Sequence, residues 1–143
     1  MELIVKSFSE LTTKELYEIL KSRLEIFMLE QNIICQDLDD TDYVSTHYFF
    51  MEEGRVSAYL RTFRAENGKL MMGRVITLNH GKGTGRELLE KTISHIKENT
   101  EYEVIALHAQ KSAVGFYEKL GFSVTSDEFL EEGVVHLMME KEL

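Results

Sequence analysis

Apolar residues along this chain switch repeatedly between helical spacing and strand-like runs, and that alternation restricts the fold to a mixed α/β sheet. Leu3, Ile4 and Val5 lie in an opening strand, Glu2 to Phe8. Leu16, Leu20 and Phe27 then recur at helical spacing, with Ile19 and Leu24 widening the stripe. Ser9 or Thr12 can cap that helix, because a hydroxyl there accepts from an otherwise unpaired backbone N–H. Arg23 sits beside the stripe and reads as a side chain snorkelling from the helix edge. The polar segment Gln36 to Ser45 reads as a solvated acidic loop or a short helix.

Two strands follow, His47 to Glu53 and Arg55 to Phe63, joined by a hairpin turn at Glu53-Gly54. Asn67-Gly68 is a second turn signal and leads into the strand Leu70 to Thr77. Leu88, Leu89, Thr92, Ile93 and Ile96 form another helical stripe, and Glu103 to Ala109 is the next strand. Ala113 to Leu120 is a short helix stopped by Gly121, before closing strands at Phe122 to Val124 and Val134 to Met139. The predicted order is β-α-β-β-β-α-β-α-β-β. At 143 residues, with no proline, no repeat and no linker-like stretch, the chain reads as one domain, residues 1–143.

Charge narrows the partners. Twenty-five acidic residues against 16 Lys and Arg leave a net charge of −9, which disfavours nucleic acid because phosphate neutralisation needs a basic face. No apolar run approaches the ~20 residues that span a bilayer. The start, Met1 to Lys6, lacks the marks of a signal peptide, and the lone Cys35 fits a reducing compartment, so a cytoplasmic protein is expected, monomeric or homodimeric. Neither a His-x-x-x-His nor a paired-Cys pattern is present, and no metal site is expected. Asp37 to Asp42 imitates a calcium loop only loosely, since Asp42 stands at its Gly position and Tyr48 at its final Glu position.

The one dense glycine cluster is His80-Gly81-Lys82-Gly83-Thr84-Gly85-Arg86, between a strand and a helix. Such a junction aims several backbone N–H groups and the positive end of a helix dipole at one spot. Lys82 and Arg86 add two full positive charges, so the segment reads as a pyrophosphate site. The nucleotide P-loop fails by spacing, with Ile76 at its first Gly position and Gly83 at its Ser/Thr position. The dinucleotide fingerprint fails too, with Arg86 or Leu88 at its third Gly. A third pattern, Arg or Gln, two residues, Gly, one residue, Gly or Ala, is met at every position but the first, where His80 stands.

Downstream runs Gln110-Lys111-Ser112-Ala113-Val114-Gly115-Phe116-Tyr117-Glu118-Lys119-Leu120-Gly121-Phe122. With it the sequence resembles the GNAT superfamily of N-acetyltransferases, whose late helix reads Asn, two residues, Ala, two residues, Phe-Tyr-Glu-Lys, one residue, Gly-Phe. Gln110 stands at the Asn position. The ElaA-like branch is resembled further in Phe27 to Gln31, Gln36 to Asp42 with His47, Gly73 to Ile76, Ala109-Gln110, and Phe129 to Met139. The likeness runs from about Leu16 to the C-terminus. Two departures are His80 and a short connection between Val75 and the glycines.

The resemblance implies a fold and a reaction. The fold is a central, mostly antiparallel sheet with one splayed parallel strand pair and helices on both faces. The reaction is acetyl transfer from acetyl-CoA to an amine of a small molecule or peptide. Val75, Ile76 and Thr77 would pair with the pantetheine arm, and one of their N–H groups would polarise the thioester carbonyl. Gly81, Lys82, Gly83, Thr84, Gly85 and Arg86 would hold the pyrophosphate, with Gln110 and Phe116 completing the cofactor site. Tyr117 takes the place of the family's general acid: with an unperturbed pKa of ~10 against ~8.5 for a thiol, it can donate to the leaving thiolate. Glu30, Gln31, His47, Arg61 and His136 are the candidates for the acceptor side. The general base stays open among Glu30, His47, His108, His136 and a water chain. A non-catalytic CoA-binding module and an acyltransferase for longer acyl groups are the competing readings.

Overall fold

A computed structural model describes residues 1–143. Its strands are β1 (Ile4–Ser7), β2 (Thr46–Glu52), β3 (Arg55–Arg64), β4 (Leu70–Thr77), β5 (Val104–Gln110), β6 (Ser123–Val124), β7 (Phe129–Glu131) and β8 (Val134–Glu142). They form one sheet in the order β1-β2-β3-β4-β5-β8-β6, with β7 paired to β8. Every pairing is antiparallel except β4 with β5. The expected order is therefore observed with one addition, the short β7. It arises because Glu132 (φ +51°) and Gly133 (φ +74°) make a tight hairpin with β8.

The helices are α1 (Thr13–Leu24), α2 (Thr84–Asn99) and the short α3 (Val114–Glu118). Thr12 caps α1 reciprocally: Glu15 N–H donates to Thr12 Oγ1 at 3.1 Å and Thr12 N–H to Glu15 Oε1 at 2.8 Å. The buried stripe of α1 is Glu18, Ile19, Ser22 and Arg23, while Leu24 is exposed. Ser22 donates to the Val56 carbonyl at 2.7 Å and so seats the helix on β3. From Glu25 to Glu30 the helix continues as a π-helical turn, closed by Gln31 N–H on the Ile26 carbonyl at 2.9 Å. Wide turns of this kind are frequent at functional sites.

The sheet separates two apolar cores. Tyr48, Leu60, Leu70, Met72, Leu107, Ala109 and Tyr117 pack with Leu88, Leu89, Ile93 and Ile96 of α2 on one side. Phe49, Tyr59 and Ile76 pack with Ile19 and Ile26 on the α1 side.

Candidate active site

β4 and β5 are hydrogen-bonded neighbours only at Leu70–Ile105, Met71–Ala106 and Met72–Leu107. Beyond that the strands part: Gly73 to Thr77 has no partner on its β5 side, and His108 to Gln110 none on its β4 side. A bulge in β4 opens the gap. The β3–β4 register slips between Tyr59–Ile76 and Arg61–Gly73, and Arg74 in the bulge takes φ +54°. A left-handed arginine costs ~1–2 kcal/mol, strain of the kind that collects at functional sites.

The free edge of β4 runs into the glycine loop. Gly81 and Gly83 both have φ +76°, and a β-carbon at either would meet no atom within 4 Å. Gly83 is the N-cap of α2 and supplies no side-chain cap. None of the N–H groups from Gly81 to Arg86 has an acceptor in the protein. The loop thus presents unpaired donors, the helix dipole and open space together, which suits an anionic group. Lys82 stands beside it without an ion pair, while Arg86 Nε lies 2.6 Å from Glu90 Oε1.

α3 closes the same site from β5. A β-carbon on Gly85 would lie 3.7 Å from Phe116 Cζ and 3.8 Å from Thr77 Cγ2, so the glycine loop, β4 and α3 converge there. Phe116 meets Tyr117 edge-on at 5.2 Å, and Tyr117 meets Phe122 at 5.8 Å. Tyr117 is buried, its hydroxyl has no protein partner, and burial pushes its pKa well above the ordinary phenol value. Val75 packs into the core on the Tyr117 side, whereas Ile76 is buried on the α1 side.

The π-helical turn spans the mouth of the gap. Glu30 Oε1 lies 2.7 Å from His80 Nε2, at the entrance to the glycine loop, and Gln110 Nε2 donates to Gln31 Oε1 at 2.9 Å. Glu30 and Gln31 are therefore brought to the site, one on each lip. His136, in register with Gln110 on β8, is brought there too.

His47 and Arg61 are placed differently. Both are buried in a charge network of three arginines (Arg23, Arg61, Arg74) and three aspartates (Asp37, Asp39, Asp42). Arg23 is not a snorkelling edge residue: it is 0% exposed, with Nε 3.0 Å from Asp37 Oδ2 and Nη1 2.8 Å from Asp42 Oδ1. Arg61 donates to Asp39 through Nη1 and Nη2, both at 2.8 Å, and to Asp42 at 3.0 Å. His47 uses both ring nitrogens, on the Tyr59 hydroxyl at 2.7 Å and the Asp42 carbonyl at 3.0 Å, and burial lowers its pKa so that it stays neutral. The segment expected as a loop or short helix contains a 3-10 turn at Thr41–Val44, and its acidic run is solvated at Asp39 and Asp40 but turns Asp37 and Asp42 inward as the lid of a buried network. For Asp42, burial alone would raise the pKa, but hydrogen bonds from Arg23 and Arg61 override it and the net shift is downward.

Sequence reasoning named His108 and His136 but missed Glu131 and the cluster the three form on the open part of the same sheet face. His108 Nδ1 lies 2.9 Å from Glu131 Oε1, and His136 Nε2 lies 3.5 Å from Glu131 Oε2. Phe129 is edge-on to His108 at 5.2 Å and stacked on His136 at 6.1 Å. The available signal was the strand alternation that puts His108 and Gln110 on one face, but β7 was not foreseen.

Residues 13–143 match the family model of the acetyltransferase (GNAT) domain. Protein ElaA of Escherichia coli is 28% identical over 141 residues, 94% of this chain and 92% of that protein. YyaT of Bacillus subtilis is 30% identical, covering 92% of both chains. The crystal structure of Escherichia coli ElaA superposes with a TM-score of 0.92 at 27% identity, over 99% of this chain and 100% of that one. An acyl-CoA N-acyltransferase from Pseudomonas aeruginosa gives 0.89 at 28% identity, over 99% of each chain. A Bacillus anthracis chain solved with acetyl coenzyme A shares the fold, with a TM-score of 0.61 at 18% identity over 76% of this chain and 70% of that one. Agreement over nearly the whole length, together with a splayed strand pair that ends at a glycine-rich helix entrance, places the chain in the GNAT acetyltransferase family, in its ElaA-like branch, as an acyltransferase drawing on acyl-CoA.

Proposed function

We propose that this protein is a single-domain cytoplasmic enzyme that moves the acetyl group of acetyl-CoA directly to an amine, with Tyr117 as general acid. The observation that carries the reading is continuous: the unpaired β4 edge beyond Met72 leads straight into six unpaired backbone N–H groups, Gly81 to Arg86. A pantetheine arm is a chain of amides that can add to a free strand edge, and a pyrophosphate needs such a nest of donors. The neighbour solved with acetyl coenzyme A supports the choice of acyl donor. In this reading Val75, Ile76 and Thr77 grip the arm, and residues 81–86 grip the pyrophosphate. Gln110 and Phe116 fill in around the cofactor.

The amine nitrogen attacks the thioester carbonyl, a carbon–nitrogen bond forms, and the carbon–sulfur bond breaks. Tyr117 stays protonated at neutral pH because its buried hydroxyl resists ionisation, so it holds a proton for the departing sulfur. Glu30, Gln31 and His136 face the acceptor, while His47 and Arg61 hold the wall behind it.

Binding tests the assignment first. Acetyl-CoA at a hundredfold excess over its Kd stabilises the native state by ~2.7 kcal/mol and raises Tm accordingly. Gly83→Val removes that shift, because a β-branched residue is strained at φ +76° and would fill the open space above the loop. A melting curve unmoved by both acetyl-CoA and CoA overturns the proposal.

A further inference from the structure

Acetyl transfer also needs an acceptor for the amine proton, and the placement of the candidates separates them. Both nitrogens of His47 are engaged in a buried network. Glu30 is paired with His80 at 2.7 Å. His136 is 6% exposed, donates from Nδ1 to the Val134 carbonyl at 2.8 Å, and turns Nε2 toward Glu131. Of these four candidates His108 alone combines a carboxylate partner with a free nitrogen: Nδ1–H donates to Glu131 Oε1 at 2.9 Å, which leaves an unprotonated Nε2 with no partner in the protein; His80, paired in the same way with Glu30, stands at the glycine loop on the cofactor side.

Its position on the sheet fits. His108 is the first β5 residue beyond the last β4–β5 pair, Met72–Leu107. Leu107 and Ala109 point into the core that contains Tyr117, so the alternation of the strand turns His108 to the opposite face. Across the gap, the two groups lie on opposite sides of the sheet. We infer that His108 is the general base that takes the proton from the attacking amine, with Glu131 as the positioning residue that fixes its tautomer. The inference rests on the acetyl-transfer reading above.

The step balances without further reagents. The amine nitrogen bonds to the carbonyl carbon and gives its proton to His108 Nε2; the carbon–sulfur electron pair goes to sulfur, which takes the Tyr117 proton. His108 then returns a proton to solvent and Tyr117 regains one, giving amide and CoA. The charged groups acting on the dyad are Glu131 of β7, His136 of β8 and Arg74 of β4. The Glu131 hydrogen bond raises the His108 pKa above the ordinary 6.5 although burial opposes it, and the same bond lowers Glu131. The bond to Glu131 thus makes His108 a stronger base than a free imidazole.

Two measurements test this on the whole protein. The first is kcat/KM against pH with acetyl-CoA and a panel of primary amines (propylamine, phenethylamine and cadaverine), read by thiol release. The expected profile rises with pH as His108 loses its proton. His108→Gln abolishes that limb and lowers the rate ~10²–10⁴-fold, while Glu131→Gln moves the limb to lower pH. The second needs no acceptor: nitrogen NMR of the imidazole ring should show the Nδ1–H tautomer and a midpoint above 6.5 that falls in Glu131→Gln. A His108→Gln variant that binds acetyl-CoA and keeps both rate and limb overturns the base role, as does an Nε2–H tautomer or a midpoint at or below 6.5. Failure of the wild-type protein to bind acetyl-CoA instead topples the transfer reading, and the base role falls with it.

Discussion

Over β2, β3 and β4 the sheet face toward α1 carries three arginines and three aspartates locked to one another, with His47 sealed beneath them. Over β5 and β8 the same face carries His108, His136 and Glu131, in which one imidazole nitrogen is left over. Both regions have charged or titratable groups, so residue type alone does not separate scaffold from chemistry. Saturation does. In the first region every guanidinium is held by carboxylates, although Arg61 Nε has no partner, and Arg23 and Asp42 are buried while Asp39 stays open to solvent at the rim; these charges hold one another in place. In the second, a proton can enter and leave. Arg74 stands at the border, its Nη2 3.0 Å from the Asp37 carbonyl and its charge acting on Glu131. The strained bulge that opens the β4–β5 gap is thereby anchored in the saturated network.

The largest expected effect breaks the sealed region. Arg23→Met leaves Asp37 and Asp42 buried without their main partner, and removing one member of a buried ion pair typically costs 3–5 kcal/mol. His108→Gln, by contrast, changes a partly exposed side chain and should stay within about 0.5 kcal/mol of wild type. Urea unfolding of the two variants measures the contrast. Equal losses would mean that both regions are scaffold.

A second contrast uses two buried tyrosines. The Tyr59 hydroxyl is held by His47 at 2.7 Å, whereas that of Tyr117 has no protein partner. Tyr59→Phe strands His47 Nδ1 and should cost about 1–3 kcal/mol of stability. Tyr117→Phe keeps the ring packed between Phe116 and Phe122, so stability and CoA affinity should hold while single-turnover transfer drops ~10²-fold, worth about 2.7 kcal/mol of barrier. An unchanged transfer rate removes the acid role; parallel losses in rate and affinity reassign Tyr117 to packing.

What could be read in the sequence follows the same division. The glycine loop, Gln110 and Phe116-Tyr117 are local motifs whose spacing carries their geometry; Phe116 meets the loop at Gly85, and Gln110 bonds Gln31 across the gap. The order of elements along the chain was legible from alternation and turn residues such as Glu53-Gly54, but the order of the strands across the sheet was not. The ion network was not, because Arg23, Asp37, Asp42 and Arg61 are far apart in sequence and each looks like a surface residue alone. The splay was implied only by resemblance: a bulge with a left-handed arginine has no sequence signature. The His108–Glu131 pair escaped for a related reason, since it depends on β7, a strand of three residues.

The smallest expected effect concerns pH and has opposite signs in the two regions. Hydrogen bonds from Arg61 hold the Asp39 carboxyl down to about 2, against an ordinary 3.8. A depressed carboxylate stabilises the fold above its unfolded pKa and loses that contribution as pH falls through the folded one, here between about 4 and 2. Because the Asp39 side chain is 35% exposed, solvent screens the pair and the loss should be about 1 kcal/mol, less than the shift alone implies. His108 behaves in reverse. Its pKa is raised in the fold, so its contribution is complete below 6.5 and fades as pH rises through the folded value. Unfolding measured across pH should therefore show an acid slope that Asp39→Asn flattens and a gentler slope above 6.5 that His108→Gln flattens, the second variant also trimming the acid slope because Glu131 loses the bond that depresses it. If Asp39→Asn leaves the acid slope intact, Asp42 and Glu131, both also depressed, carry it, and the contrast between the two regions narrows to His108 alone.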